Sequence, residues 1–97
     1  MPANSVVLSA CIAEVEALRY TPAGLPVLNM RLEHESQVPE VGQARQVKLA
    51  VKAVAFGAIA ERLAKQAIGS VWRFTGFLAN APHGKSVTFH IQEFSQD

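Results

Sequence analysis

The sequence has a single cysteine, three scattered histidines and almost no excess charge of either sign. Cys11 alone can form neither an internal disulfide nor a cysteine-cluster zinc site, and its apolar neighbours predict a buried, unreactive side chain. His34, His83 and His90 are too far apart in sequence to suggest a metal motif. Nine basic and eight acidic residues give a net charge of +1. Any binding of nucleic acid therefore depends on where the cations lie, because bulk electrostatics cannot supply it.

Long hydrophobic runs and catalytic motifs are also missing. No apolar stretch reaches the roughly 18 residues that a membrane-spanning helix needs, and residues 1–9 lack the pattern of a secretory signal. We therefore expect a cytoplasmic protein with no membrane partner. The sequence contains no Ser-His-Asp or Cys-His arrangement, paired-acid motif or Gly-rich phosphate loop. We accordingly expect no catalysis, no metal and no cofactor.

The composition is that of a small globular protein. Hydrophobic residues make up 49% of the chain and charged residues 18%, a balance that allows enough apolar burial to offset the entropy of ordering. A chain of 97 residues supports one hydrophobic core. We predict a single domain over residues 1–97, with its core at about residues 5–94.

The first half of the sequence predicts three strands. Residues 5–17 are rich in β-branched and apolar side chains, and the Pro- and Gly-containing stretch 20–26 then predicts a turn. Apolar and polar residues alternate over 27–35, which predicts a half-buried second strand. Residues 36–44 contain proline and glycine and few apolar side chains, and predict a loop. Alternation resumes over 47–52 and predicts a third strand.

The second half predicts one helix and two more strands. Apolar residues recur at spacings of three and four over 56–67, which predicts a short amphipathic helix ended by Gly69. Residues 70–78 and 86–94 are strand-like, and 79–85 has the composition of a hairpin loop. The order is β-β-β-α-β-β. It predicts an all-β fold with one short helix, a five-stranded OB-fold barrel.

The aromatic side chains separate into two groups by the face on which they fall. Four lie on apolar faces and are predicted to be core residues: Phe56, Trp72, Phe74 and Phe89. Tyr20 lies in the predicted turn, and Phe77 shares the outward parity of its strand. Both are candidates for stacking on bases, and a role in packing or dimer contact remains open for both. His34 falls on the inward face, so we expect it to be partly buried and hydrogen-bonded.

The third strand presents the most basic surface that the local pattern offers. Lys48 and Lys52 project outward at period-two spacing. Glu33 and Glu35 project from the outer face of the second strand, where they oppose phosphate or form cross-strand pairs with these lysines. If the glutamates pair with the lysines, the cations are simply part of a solvated sheet face. Phosphate binding and local pairing both remain open at this point.

Three segments carry a resemblance to known families. Residues 19–27 (Arg-Tyr-Thr-Pro-Ala-Gly-Leu-Pro-Val) resemble the turn between the first two strands of bacterial single-stranded DNA-binding proteins. Residues 51–78 resemble their helix and fourth strand. Residues 30–36 (Met-Arg-Leu-Glu-His-Glu-Ser) are more specifically similar to the primosomal replication protein N family, OB-fold relatives that act in replication restart. The resemblance covers residues 5–94.

This resemblance implies a homodimer that binds single-stranded DNA and docks to a restart helicase and other primosome proteins. The implied DNA-binding face combines the second and third strands with the loop between the fourth and fifth. General single-stranded DNA-binding proteins usually continue into a Gly- and Gln-rich tail, whereas this sequence ends at Asp97, which favours the primosomal family. Family members can carry stacking aromatics around the second loop and third strand, where this sequence has Gln43, Lys48 and Lys52.

From the resemblance and the parity of the side chains, we predict a set of DNA-binding residues: Arg19, Tyr20, Arg31, Arg45, Lys48, Lys52, Phe77, His83 and Lys85. A dimer is expected through the first strands, because residues 6–13 carry few charges and an unprotected edge tends to pair. The predicted interface residues are Val6, Leu8, Ala10 and Ile12.

Two functions remain open after the sequence alone. The first is a single-stranded DNA-binding accessory protein of the primosome, which stabilises a restart helicase on DNA and helps the primosome to assemble. The second is a protein-interaction adaptor of the same machinery with little DNA affinity of its own. The net charge of only +1 and the missing aromatics favour the second.

Overall fold

A computed structural model describes residues 2–97 and shows a barrel of long strands with one short helix. The elements are β1 (Val6–Val15), β2 (Arg19–Tyr20), β3 (Pro26–Glu40), β4 (Gln43–Phe56), α1 (Ala58–Ala64), β5 (Val71–Asn80) and β6 (Val87–Ser95). The five long strands follow the order β1-β5-β6-β4-β3, and a pairing of β3 with β1 closes the barrel. Only β4 and β6 are parallel among these pairings. The predicted OB-fold barrel is confirmed, with the two-residue β2 as an addition.

The barrel interior is filled by the apolar residues that alternate along the strands. Ile12, Leu32, Phe74 and Phe89 have at most 1% of their surface exposed. Burial of each such side chain stabilises the fold by roughly 1.5–3 kcal/mol. The helix α1 packs against β3 and β4 and buries Leu63 completely. Period-two alternation thus fixes which side chains remain outside, on the face where a ligand can bind.

The prediction of a loop over residues 36–44 was wrong. From residue 35 to residue 49, β3 and β4 continue past the barrel as a two-stranded arm, paired as far as Glu40 and Gln43 and closed by a turn at Val41 and Gly42. Both turn residues have positive φ, 51° and 75°, as expected of a two-residue hairpin turn. β3 has 15 residues, each rising about 3.4 Å, and the molecule is 51 Å long. Both faces of the arm are largely exposed, so no apolar alternation marks it.

The helix is shorter than its sequence pattern predicted. It covers Ala58–Ala64 instead of 56–67, and Gly57, with φ 85°, separates it from β4. Phe56 is therefore the last residue of β4, and 44% of its surface is exposed. The prediction of Phe56 as a core residue was wrong, because its spacing to the helical residues is coincidental.

The expected setting of His34 is confirmed. Its ring is partly buried, with Nδ1 at 2.5 Å from the Ser9 carbonyl oxygen and Nε2 at 2.7 Å from Ser36 Oγ. The ring therefore ties β3 to the neighbouring β1.

The main chains of β5 and β6 approach closely at one point, where their register determines which side chains meet on the outer face. The pairing shifts between Thr75 and Gly76, so that Gly76 lies opposite Ile91 and Phe77 lies opposite His90. A Cβ atom at position 76 would lie 1.8 Å from the His90 carbonyl oxygen. Glycine is therefore required at this position by space, and this contact brings the Phe77 and His90 rings together.

Candidate nucleic-acid interface

A groove runs across the outer face of the barrel, bounded by the end of β1, by β2 and by the loop after β5. It encloses about 420 Å³, within the range of about 300–1,000 Å³ usual for ligand pockets. Its lining residues are Glu14, Glu16, Arg19, Asn29, Met30, Arg31, Lys52, Ala53, Val54, Phe56, Asn80, Ala81, Pro82, Thr88 and His90. The groove thus combines an apolar floor with three cations and two carboxylates.

Three nearly parallel rings stack on the outer face, and two of them, Phe56 and His90, line the groove. The His90 ring lies between Phe77, at a centroid distance of 4.8 Å and an interplanar angle of 15°, and Phe56, at 5.9 Å and 18°. We call these residues the ring stack. Phe77 was predicted as a stacking candidate, whereas Phe56 and His90 were missed. The parity of Phe56 with the outward-facing Lys52 was the signal that could have found it.

Arg31 lies in the groove but is already engaged by two carboxylates. Its guanidinium donates hydrogen bonds to Glu14 at 3.1 Å and to Glu33 at 2.7 Å. The hydrogen bond from Arg31, together with its charge, holds the pKa of the Glu14 carboxyl below its ordinary value. The Glu14 carboxylate correspondingly raises the pKa of Arg31. Arg31 is therefore a weak candidate for a phosphate contact unless these carboxylates give way.

Arg19 and Lys52 are the groove cations with no ion pair to another residue within 2–97. Lys52 projects from β4 directly opposite Arg31, so the two like charges do not neutralise each other. His83 and Lys85 lie in the exposed loop between β5 and β6, whose first residues line the groove. Tyr20 follows Arg19 on β2 with 57% of its surface exposed. These five predicted residues lie in the groove or on the elements that border it.

Arg45 and Lys48 lie on the arm and do not line the groove. Arg45 pairs with Glu40 at 3.0 Å, and Lys48 lies 3.8 Å from Glu35. The sequence interpretation in which a glutamate of the second strand pairs with Lys48 is thereby confirmed. The cations of the arm are compensated locally, and its surface carries little net attraction for phosphate.

The predicted dimer residues differ in how exposed they are. Ala10 and Ile12 are 3% and 0% exposed and face the barrel interior, whereas Val6 and Leu8 are half-buried. The strand pairs with β5 from Val6 onward, but β3 joins its other edge only from Cys11. A dimer contact at Ala10 would accordingly use the main chain, whereas the main-chain N–H and carbonyl of Ile12 are already hydrogen-bonded to Ser70 and Gly69. The predicted interface stays a prediction.

Across residues 2–97, no three His, Cys, Asp or Glu side chains gather in a way that could hold a metal ion. In the same range, no helix is long and apolar enough to cross a membrane.

Comparison with known proteins gives consistent matches over nearly the whole chain. Residues 4–93 match a family model described as another single-strand binding protein family. The replication restart protein PriB of Bordetella pertussis is 44% identical over 93% of this chain and 85% of its own length. A structure of the protein PriB from Ralstonia solanacearum, 37% identical, superposes with a TM-score of 0.88 over 98% of both chains.

A more distant structure shares the same architecture. The SSB domain of a Synechococcus protein superposes with a TM-score of 0.73 over 99% of this chain and 98% of its own, at 22% identity. At that identity the likeness supports the fold alone.

Proposed function

Because the chain belongs to the single-strand binding protein family, among the replication restart proteins PriB, we propose that it is a single-stranded DNA-binding accessory protein of the primosome. The observation that carries this proposal is the groove, where the unpaired cations Arg19 and Lys52 lie on the same face as the ring stack. Single strands are held by this combination of cations along the backbone and rings against the bases.

The proposed binding separates into two contributions. Arg19, Lys52 and Lys85 attract phosphates, and each phosphate neutralised on a single strand contributes about −0.7 to the slope of log K against log salt. Phe56, with 44% of its surface exposed, offers a ring on which a base can stack, and such stacking is worth about 1–3 kcal/mol per base. Neither contribution reads sequence, so the groove suits a protein that holds single strands of varied composition.

The finer role is also a proposal. We place the protein in the bacterial cytoplasm as a homodimer that stabilises a restart helicase on DNA. The arm supports a protein contact because its charges are compensated and Val38, Val41 and Leu49 are 41%, 97% and 40% exposed. The same observation favours a second candidate function, an adaptor that joins replication-restart proteins with little DNA affinity of its own. Strong helicase binding without measurable DNA affinity would favour that second function.

The two lysines of β4 are expected to differ in their effect on DNA binding. Lys52→Ala removes an unpaired groove cation, so the salt slope should become shallower by about 0.7. Lys48→Ala removes a paired cation outside the groove and should leave the slope nearly unchanged. Fluorescence anisotropy of a labelled oligonucleotide at several salt concentrations between about 50 and 200 mM measures both slopes.

The wild-type slope itself is also informative. The three unpaired cations Arg19, Lys52 and Lys85 predict a slope of log K against log salt of about −2. Affinity should therefore fall about 20-fold between about 50 and 200 mM salt. A shallower slope in Lys48→Ala with an unchanged slope in Lys52→Ala would move the site from the groove to the arm. Absence of binding even at low salt would contradict the proposed DNA-binding role.

A further inference from the structure

One extra residue in β1, a bulge in its pairing with β3, places Glu14 directly opposite the groove cation Arg31. The pairing is regular as far as Ile12, opposite Leu32, and resumes with Glu14 opposite Arg31, so that Ala13 has no partner of its own. Without the extra residue, alternation from the buried Ile12 would turn position 14 inward. Bulges re-aim side chains in this way and are frequent beside functional sites. Here the bulge brings a carboxylate to a cation of the groove.

The guanidinium of Arg31 is held at both of its ends. Nη2 donates a hydrogen bond to Glu14 Oε1 at 3.1 Å, and Nη1 donates one to Glu33 Oε2 at 2.7 Å. The two carboxylates come from different strands, β1 and β3, and together they carry one more charge than the guanidinium. The Arg31 side chain is 37% exposed, whereas those of Glu14 and Glu33 are 70% and 54% exposed. The more exposed groups of this cluster are therefore the negative ones.

These two ion pairs bear on DNA binding more than on folding. Exposed ion pairs contribute little to stability, because water solvates both partners well in the unfolded chain. A phosphate offers Arg31 the same charge-assisted hydrogen bonds that the carboxylates already provide. Exchange of one for the other gains little and leaves a released carboxylate beside the phosphate. Lys52, opposite Arg31 on β4, forms no ion pair with any residue from 2 to 97 and meets no such competition.

We propose that Glu14 and Glu33 mask Arg31 and thereby hold down the affinity of the groove for single-stranded DNA. The inference rests on the proposed function and deepens it, because it assigns to the groove a further phosphate-binding cation whose use these carboxylates prevent. Removal of both carboxylates frees Arg31 for one more phosphate, whereas removal of either one leaves the guanidinium held by the other.

The Glu14→Gln/Glu33→Gln double variant tests the masking. Glutamine keeps the length of the side chain and removes its charge, so the guanidinium is free to bind phosphate. In anisotropy titrations of a labelled oligonucleotide, the slope of log K against log salt should steepen by about 0.7, from about −2 to about −2.8. Affinity should then fall about 50-fold between about 50 and 200 mM salt, compared with about 20-fold for the wild type.

Two further variants separate masking from a general change in charge. Addition of Arg31→Ala to the double variant should return the slope to about −2, since the extra contact depends on the guanidinium. Glu35→Gln/Glu40→Gln removes the same number of carboxylates from the arm. There they pair with Lys48 and Arg45, which do not line the groove, so this slope should match that of the wild type. All of these variants change exposed or half-buried side chains, and circular dichroism checks that each one is folded.

The outcomes separate this inference from the function beneath it. A wild-type slope in Glu14→Gln/Glu33→Gln would overturn the inference and leave the proposed function standing. A steeper slope that persists without Arg31, or that the arm variant shares, would also overturn it, because the carboxylates would then act only by general repulsion of phosphate. Absence of binding by the wild type and by every variant at low salt would contradict the proposed function itself.

Discussion

The Gly76→Ala variant is expected to lose about 3 kcal/mol or more of its free energy of unfolding, the upper part of the range for overpacked sites. The added Cβ would lie 1.8 Å from the carbonyl oxygen of His90, 2.9 Å from its carbonyl carbon and 3.0 Å from the Phe89 ring. Two of these three atoms belong to the main chain of β6 and cannot rotate away. The variant must therefore separate β5 from β6 at the point where the ring stack is assembled.

Urea denaturation followed by circular dichroism measures this loss, and Gly84→Ala is its matched control. The Cβ of that control would lie 3.8 Å from Ser86 Oγ, an ordinary contact in an exposed loop. We expect its midpoint to lie close to that of the wild type. If Gly76→Ala unfolded at the same urea concentration as Gly84→Ala, the close approach of β5 and β6 would be refuted.

Phe56→Ala is expected to weaken binding of single-stranded DNA by about tenfold, with a range of about 5- to 150-fold for the loss of one stacked base. Phe56 lines the groove, and 44% of its surface is exposed. Replacing it should therefore affect binding strongly and folding only slightly. Anisotropy titration at constant salt measures the change, and the salt slope should stay as in the wild type.

Two companion variants separate stacking from other effects. Phe56→Leu keeps much of the apolar surface but loses the ring face, so its affinity should stay well below that of the wild type. Val71→Ala removes an exposed apolar side chain, 59% exposed on β5 and outside the groove, and should bind like the wild type. Wild-type affinity in Phe56→Ala would show that bases do not stack at this position.

Alternation and turn composition were enough to predict the barrel, because burial of one face leaves a period-two pattern in each strand. The arm was missed for the same reason. Residues beyond the barrel have no buried face, and the hairpin from Ser36 to Ala44 therefore has the composition of a loop although it is paired throughout. The helix was predicted too long because Phe56 and Ala67 happen to fall on its period. In the structure β4 ends at Phe56, and the helix begins only after Gly57.

The sequence predicted only part of the site, because it could not show which cations are already paired with carboxylates. Parity showed that Lys48 and Lys52 both point outward, but it could not show which of them is free. That depends on register across strands, which places Lys48 opposite Glu35 and Lys52 opposite Arg31. Arg31 in turn takes Glu33, which lies on the same strand, and Glu14 from β1. Such pairings follow only from the assembled barrel.

The most direct test of the central claim, that single-stranded DNA binds in the groove, is a map of amide chemical-shift changes. A ¹H–¹⁵N spectrum of the labelled protein would be recorded during titration with an unlabelled oligodeoxynucleotide. The account predicts that the largest changes fall on groove residues such as Asn29, Val54 and His90. Val7 and Arg73, which project from the β1–β5 face outside the groove, should change little. Changes confined to that face or to the arm, with the groove amides unmoved, would contradict the account.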